Sequence, residues 1–405
     1  MIATLALDQD RSAARTAKLL PAIVGFYFSF RLLSVLLSVR LVHADPQAGV
    51  GASLALNYLL VGVAAFNAFG PGVRSFAAFT SIPSFRWALM FLGFSGLSLF
   101  WSSTASLPAA VAFWCAMASD MAIIVLLLRV GSIDNTTHSV MKGYVWGTIA
   151  IAAIAWILPS QSDLRLGDEE WLGPNQIGYA CAFAFFLAQY LMRRGEKGLA
   201  NPAAFLAITL LRSLSKTTII AFVAGEAVLL VLDRSISKKT KIYFAAAAVA
   251  IVAGFWGLIQ AYYDVYTNAG NQSETLTGRI GIWAYILNEA LQQPWFGHGF
   301  HSVWKVIPPF GVFEARHAHN EVLQQFYAYG AVGVGIFVAL YSNVFREIRR
   351  LRGGSLKTFF LGMLLFILIR GLADTEVFDL SLPLWSIVLI GSVLDQERKL
   401  GEAVA

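Results

Sequence analysis

Apolar residues run through this chain in long stretches separated by short polar and basic segments. The period-two alternation of a half-buried strand does not organise it. The stretches lie near 19–42, 52–70, 86–101, 106–128, 143–159, 174–192, 202–214, 216–232, 242–262, 321–345, 358–372 and 383–395. A helix crosses a bilayer with about 17–25 apolar residues, so the pattern predicts an all-α polytopic membrane protein with about twelve transmembrane helices. The pair over 202–232 is the hardest to divide, because only the tight turn RSLSK at 212–216 separates its halves. One segment, 263–320, is polar and has no counterpart earlier in the chain. It predicts a single long extramembrane loop, and no internal repeat of the kind many transporters carry is visible.

Loop charge orients these helices, since cytoplasmic loops retain Lys and Arg. With the N-terminus inside, the basic clusters at 193–197, 234–241 and 346–352 all fall in the cytoplasm. Few cations then lie outside, among them Arg212, Lys216, Arg279 and Arg316. The 263–320 loop and the RSLSK turn are thereby predicted to lie on the outside face of the membrane. The first apolar stretch contains Arg31 and lacks a small-residue cleavage site after it, so it reads as a retained helix.

Composition agrees with the pattern. With 57% hydrophobic and 13% charged residues, the chain is too apolar for a soluble domain. The formal charge of +6 is spread over many cytoplasmic segments and forms no aromatic-interleaved patch, so nucleic acid is not a predicted partner. Cys115 and Cys181 both lie inside predicted spans and read as packing residues.

The outside cations are costly near the membrane plane unless an anion meets them. A diphosphate, held by Arg in a fork and by Lys as a point charge, suits such a group. Four histidines, His298, His301, His317 and His319, lie in the same region. Zinc takes three or four His, Cys or carboxylate ligands, and HAH with nearby Glu321 offers some, but gathered cations oppose a second cation. No metal and no cofactor is expected. Within HNEVLQQFYAYGAVG, 319–333, His319 stands where the polar loop meets an apolar helix, as a general base or as a helix-start residue bonded locally. Asn320 reads as that helix's cap or as a sugar ligand. Gly330, Gly333 and Gly335 read as small residues that admit a neighbouring helix or a lipid tail.

These motifs carry a resemblance. HN at 319–320 followed by Gly330 and Gly333, with TGR at 277–279 and PWFGHGF at 294–300, is similar to the bacterial O-antigen ligase and Wzy-type polysaccharide polymerase superfamily. GPNQIG at 173–178, SLSKTT at 213–218 and LADTEVF at 372–378 extend the likeness over most of 170–380. The resemblance implies a glycosyltransferase C-like fold, with residues 1–170 as supporting helices and a lipid groove, 171–395 as the catalytic region, and 396–405 as a cytoplasmic tail.

It further implies transfer of a glycan from undecaprenyl diphosphate to a sugar hydroxyl with inversion, without nucleotide sugar or metal. His319 would act as base, and Arg279 would hold the donor diphosphate. Lys216 stands where ligases of the superfamily often carry Arg, and Arg212 would compensate. Arg316 would contact an acceptor lipid, and Glu376 would lie at the outside face. Polymerisation of lipid-linked repeats of an exopolysaccharide or O-antigen is the leading expectation, with a chain-length regulator as a further partner. Joining a finished chain to lipid A core is the alternative. An anionic-solute transporter, with Asp120 and Glu226 as its buried charges, and a non-catalytic scaffold are the other classes.

Overall fold

The computed structural model describes residues 19–68, 73–161, 164–168, 170–258, 260–261, 264, 276–303, 317–376 and 378–403. The chain is all-helical there, with no named strand and one isolated bridge, Asp168 to Leu172. Helices occupy each of the twelve apolar stretches, as α1 Leu19–Arg40, α2 Pro46–Asn67, α3 Pro83–Leu97, α4 Leu107–Val130, α5 Ile133–Ile157, α6 Pro174–Arg193, α7 Ala200–Arg212, α8 Lys216–Leu232, α9 Lys238–Gly254, α11 Glu321–Arg350, α12 Ser355–Gly371 and α13 Leu384–Ala403. Among the described residues five of them, α1, α2, α4, α5 and α11, are long and apolar enough to cross a membrane.

One helix was not expected: α10, Leu276–Ala290, lies inside the segment predicted to be a loop. Its charged and small residues masked a helical stripe, for Ile282, Ile286 and Ala290 recur at spacings of four and bury together. The remaining loop residues 265–275 and 304–316 lie outside the described residues. Helix α5 starts ten residues before its apolar stretch, at a Ser132 cap whose Oγ accepts from Asn135 N. Proline at the first turn starts α2, α3 and α6, where its missing N–H costs nothing.

Two compact units form. The first joins the stretch up to Ser75 with Ala122–Ile219, and the second joins Phe76–Met121 with Ile220 onward. In the first, α6 packs between α5 and α7, and Ser29 of α1 donates to the Tyr144 carbonyl of α5 at 3.0 Å. The turn between α7 and α8 is a true break, with Leu214 at φ 54. In the second unit α11 is the hub, in contact with α3, α10, α12 and α13. Glu347 near its far end accepts from Ser84 N of α3 at 2.8 Å.

Candidate active site

The start of α11 fixes the site. Asn320 has extended backbone, and its Oδ1 accepts from Leu323 N at 2.9 Å while its Nδ2 donates to the Leu372 carbonyl. One side chain thus caps α11 and ties it to the end of α12. Just before it His319 is held at φ 51, a left-handed conformation that costs a residue with a Cβ roughly 1–3 kcal/mol. The surrounding structure imposes it. Gln324 Oε1 accepts from Ala318 N at 2.8 Å, and Trp283 Nε1 of α10 donates to the Ala318 carbonyl at 3.0 Å. Buried Glu321 accepts from Ser381 N at 2.6 Å. The HAHN turn is therefore clamped from three sides.

Clamping aims both imidazoles at one carboxylate. His319 Nδ1 lies 3.5 Å from Asp374 Oδ1, and His317 Nε2 lies 3.9 Å from the same oxygen. On its other side Asp374 meets Arg370 at 3.5 Å, and Arg370 pairs with Glu376 at 2.8 Å. Arg370 is 2% exposed. Burial alone would raise the Asp374 pKa, but the Arg370 guanidinium and the two imidazoles outweigh it and hold the carboxyl well below the usual range. Burial, then His319, and then the charges of Arg370 and Arg279 push His317 down to about 3, against the pull of Asp374. His317 is accordingly neutral at ordinary pH.

Among the described residues His317, His319 and Asp374 are the one set whose donor atoms, all within 4.8 Å, could gather round a metal ion. Their hydrogen bonding suits a different use. His319 N donates to His317 Nδ1 at 3.2 Å, which leaves the His317 proton on Nε2, the atom a metal would need. The other two histidines have separate duties. His298 Nε2 bonds the Glu289 carbonyl and its ring stacks on Tyr327, while His301 Nδ1 bonds Thr104 Oγ1 at 2.8 Å. Glu321 turns away toward Ser381 and Tyr341.

The structure brings His319, Asn320 and Glu376 together, and the charge of half-buried Arg279 reaches His317. Arg316 lies outside the described residues. Arg212 and Lys216 belong to the first unit. There the Arg212 guanidinium donates to the Leu164 carbonyl and to Ser160 Oγ, binding the 160–166 loop, and Lys216 is exposed at the start of α8. Two motifs meet in that unit: Ser215 Oγ of SLSKTT donates to Asn175 Oδ1 of GPNQIG at 2.9 Å. Sequence reasoning missed Asp374 and Arg370. The signal was present, an Arg ending an apolar helix with Asp four residues on, and buried charge of that kind marks function.

Gly330 corrects an expectation. It was read as a packing residue in a continuous helix, but it has φ 63 and ψ −163 and breaks α11. The 294–299 loop fills the gap. His298 N and Gly299 N donate to the Tyr327 and Ala328 carbonyls, while Ala331 N and Val332 N donate to the Pro294 and Trp295 carbonyls. These bonds satisfy the backbone groups that a broken helix would otherwise leave bare at membrane depth. A Cβ on Gly330 would sit 2.3 Å from the Trp295 carbonyl carbon, so both the conformation and the space demand glycine. The motif glycine and the PWFGHGF loop are one device that holds the short first part of α11, with His319 at its head.

The sequence is also similar to known proteins. Residues 202–338 match the family described as O-antigen ligase. The chain is 24% identical over 321 residues to the exopolysaccharide production protein ExoQ of Rhizobium meliloti, covering 70% of this chain and 71% of that protein. It is 31% identical over 100 residues to an O-antigen ligase of Pseudomonas aeruginosa, covering 25% of this chain and 23% of that protein. Taken with the motifs and the all-helical fold, these matches support the resemblance to the O-antigen ligase and polysaccharide polymerase superfamily, most directly over residues 202–338.

Proposed function

We propose that this protein is an inverting glycosyltransferase that polymerises lipid-linked repeat units of an exopolysaccharide or O-antigen, using undecaprenyl diphosphate as the leaving group. One observation carries the reading: the His319 imidazole, clamped in a strained turn, points Nδ1 at the ionised carboxylate of Asp374. That leaves Nε2 to take the proton of an acceptor hydroxyl, whose oxygen attacks the anomeric carbon. The anomeric C–O bond breaks, and the diphosphate departs with its electron pair. Arg279 stabilises the departing charge, and Arg316 is assigned to the acceptor lipid. The site works without metal, in a bacterial inner membrane and facing the periplasm.

The match to the exopolysaccharide production protein over most of both chains favours the polymerase. The ligase reading, transfer to lipid A core, rests on the higher identity to an O-antigen ligase over a quarter of the chain. Purified protein given one lipid-linked repeat unit in excess EDTA separates them. A polymerase makes a ladder of products with no other acceptor present. No ladder, but a single transfer once lipid A core is added, replaces it with the ligase. A ladder that EDTA abolishes and zinc restores overturns the metal-free chemistry.

A further inference from the structure

Beside the HAHN turn the second unit holds a cleft of approximately 380 Å3 counting its open mouth. Its inner end has room for roughly one or two water-sized groups. Phe91 and Phe378 present ring surface to it, and Gln324, Gln325, His301 and Asp379 supply its polar lining. His301 is buried at φ 67, a strained position for a residue with a Cβ. Its ring stacks on Phe378 at 4.8 Å and 10°, and Phe113 stacks on both, 4.1 Å from Phe378 and 5.6 Å from His301. A rigid aromatic wall results. Gln324 is committed at both ends, to Ala318 N and to the Glu376 carbonyl, so one side chain both lines this cleft and holds the backbone next to His319. Gln325 is different. It is 4% exposed, and its buried Oε1 accepts no hydrogen bond among the described residues. Leaving such an acceptor unpaired costs about 1–3 kcal/mol, and a ligand hydroxyl would recover that.

Resting on the glycosyl-transfer reading above, we propose that this cleft is the specificity subsite for the exocyclic hydroxymethyl arm of a neutral hexose in the acceptor, with Gln325 reading the arm's hydroxyl. The inner space is too small for a pyranose ring and suits one carbon with its oxygen. Apolar rings pack against the CH2, and the amide oxygen of Gln325 takes the O–H. A uronic acid in this place would set its carboxylate against Asp379. Buried His301, held neutral by a pKa lowered to about 4, would not offset that charge.

Saturation-transfer NMR on the purified full-length protein tests it, with methyl glucoside, methyl xyloside, which lacks the arm, and methyl glucuronide as probes. The expected result is saturation concentrated on the glucoside C6 protons, with several-fold weaker signals from the other two. Gln325→Leu should erase the C6 preference. Phe378→Leu, a milder change in the wall, should lower the glucoside signal in case the first variant fails to fold. Equal signals from all three probes, no signal from any, or a C6 preference that survives Gln325→Leu overturns the proposal. Assaying transfer on the same wild-type sample separates the two readings. A C6 epitope without glycan transfer leaves the subsite and removes the transferase, whereas transfer without the epitope does the reverse.

Discussion

Asp374→Asn removes one charge from the site and almost no volume. In the proposed reaction His319 gains a proton in the transition state, so the couple changes from neutral–anion to cation–anion across 3.5 Å. At that distance the attraction is worth about 1 kcal/mol in water and about 5 kcal/mol at an effective dielectric of 20. The Asp374 side chain is 3% and the His319 side chain 11% exposed, which argues for the upper half of that range. Arg370 on the other carboxylate oxygen opposes the imidazolium and pulls the net figure back. We expect kcat to fall about 10²- to 10³-fold, roughly 3–4 kcal/mol, with KM for the lipid-linked donor little changed. Arg370 keeps its 2.8 Å pair with Glu376, so the variant should reach the membrane at wild-type levels. Product ladders from purified protein over a time course give the measurement. A kcat within threefold of wild type would refute the couple, and His319 would then be a structural residue of the turn.

Other outcomes follow from the same geometry. Arg279→Ala should remove most transfer activity by taking away a diphosphate contact, whereas His317→Ala should cost less; a lethal His317→Ala with mild Arg279→Ala reverses the assignment of roles. Gly330→Ala meets both a left-handed backbone and the Trp295 carbonyl carbon at 2.3 Å, so it should lower the melting temperature in detergent by several degrees, and an unchanged melt would show that the break relaxes freely. His301 titrates at about 4 when folded against roughly 6.5 unfolded. The unfolded chain therefore binds the extra proton between those values, and His301's own share of stability should fall by roughly 1.4 kcal/mol per pH unit as pH drops through that window; a His301→Phe variant that loses as much melting temperature between pH 7 and pH 5 as the wild type would contradict it. A cysteine placed at Ser273 should react with an impermeant thiol reagent in spheroplasts while one at Ser237 should not, and the reverse pattern would turn the proposed site to the cytoplasm.

Most helices were legible because apolar length alone specifies them. The exceptions have physical reasons. Helix α10 hides in a polar stretch because only one stripe of it, Ile282, Ile286 and Ala290, is buried. Gly330 could not be told from Gly333 by sequence, since a glycine in an apolar run fits a close helix crossing as well as a break. What decides between them is the 294–299 backbone, thirty residues away along the chain. The site was half legible. His319 and Asn320 declare themselves at a polar-to-apolar boundary, whereas Asp374 and Arg370 were counted with a helix end because their partners are distant in sequence.

Those two residues also explain why the site is built from so much buried charge. Arg370, Asp374 and Glu376 form a connected group carrying one positive and two negative charges, which leaves it one positive charge short. In the ground state neutral His317 does not supply that charge. In the proposed reaction a proton arriving on His319 from the acceptor hydroxyl would, at the oxygen of Asp374 that Arg370 leaves open. The group is then balanced only while the imidazolium exists, so its stabilisation is greatest for the state in which the acceptor oxygen has lost its proton. An arrangement that binds the transition state better than the ground state is what acceleration requires, and here the buried guanidinium sets the balance. Arg370 holds Asp374 ionised in a place where a lone carboxylate would take up a proton and cease to be useful.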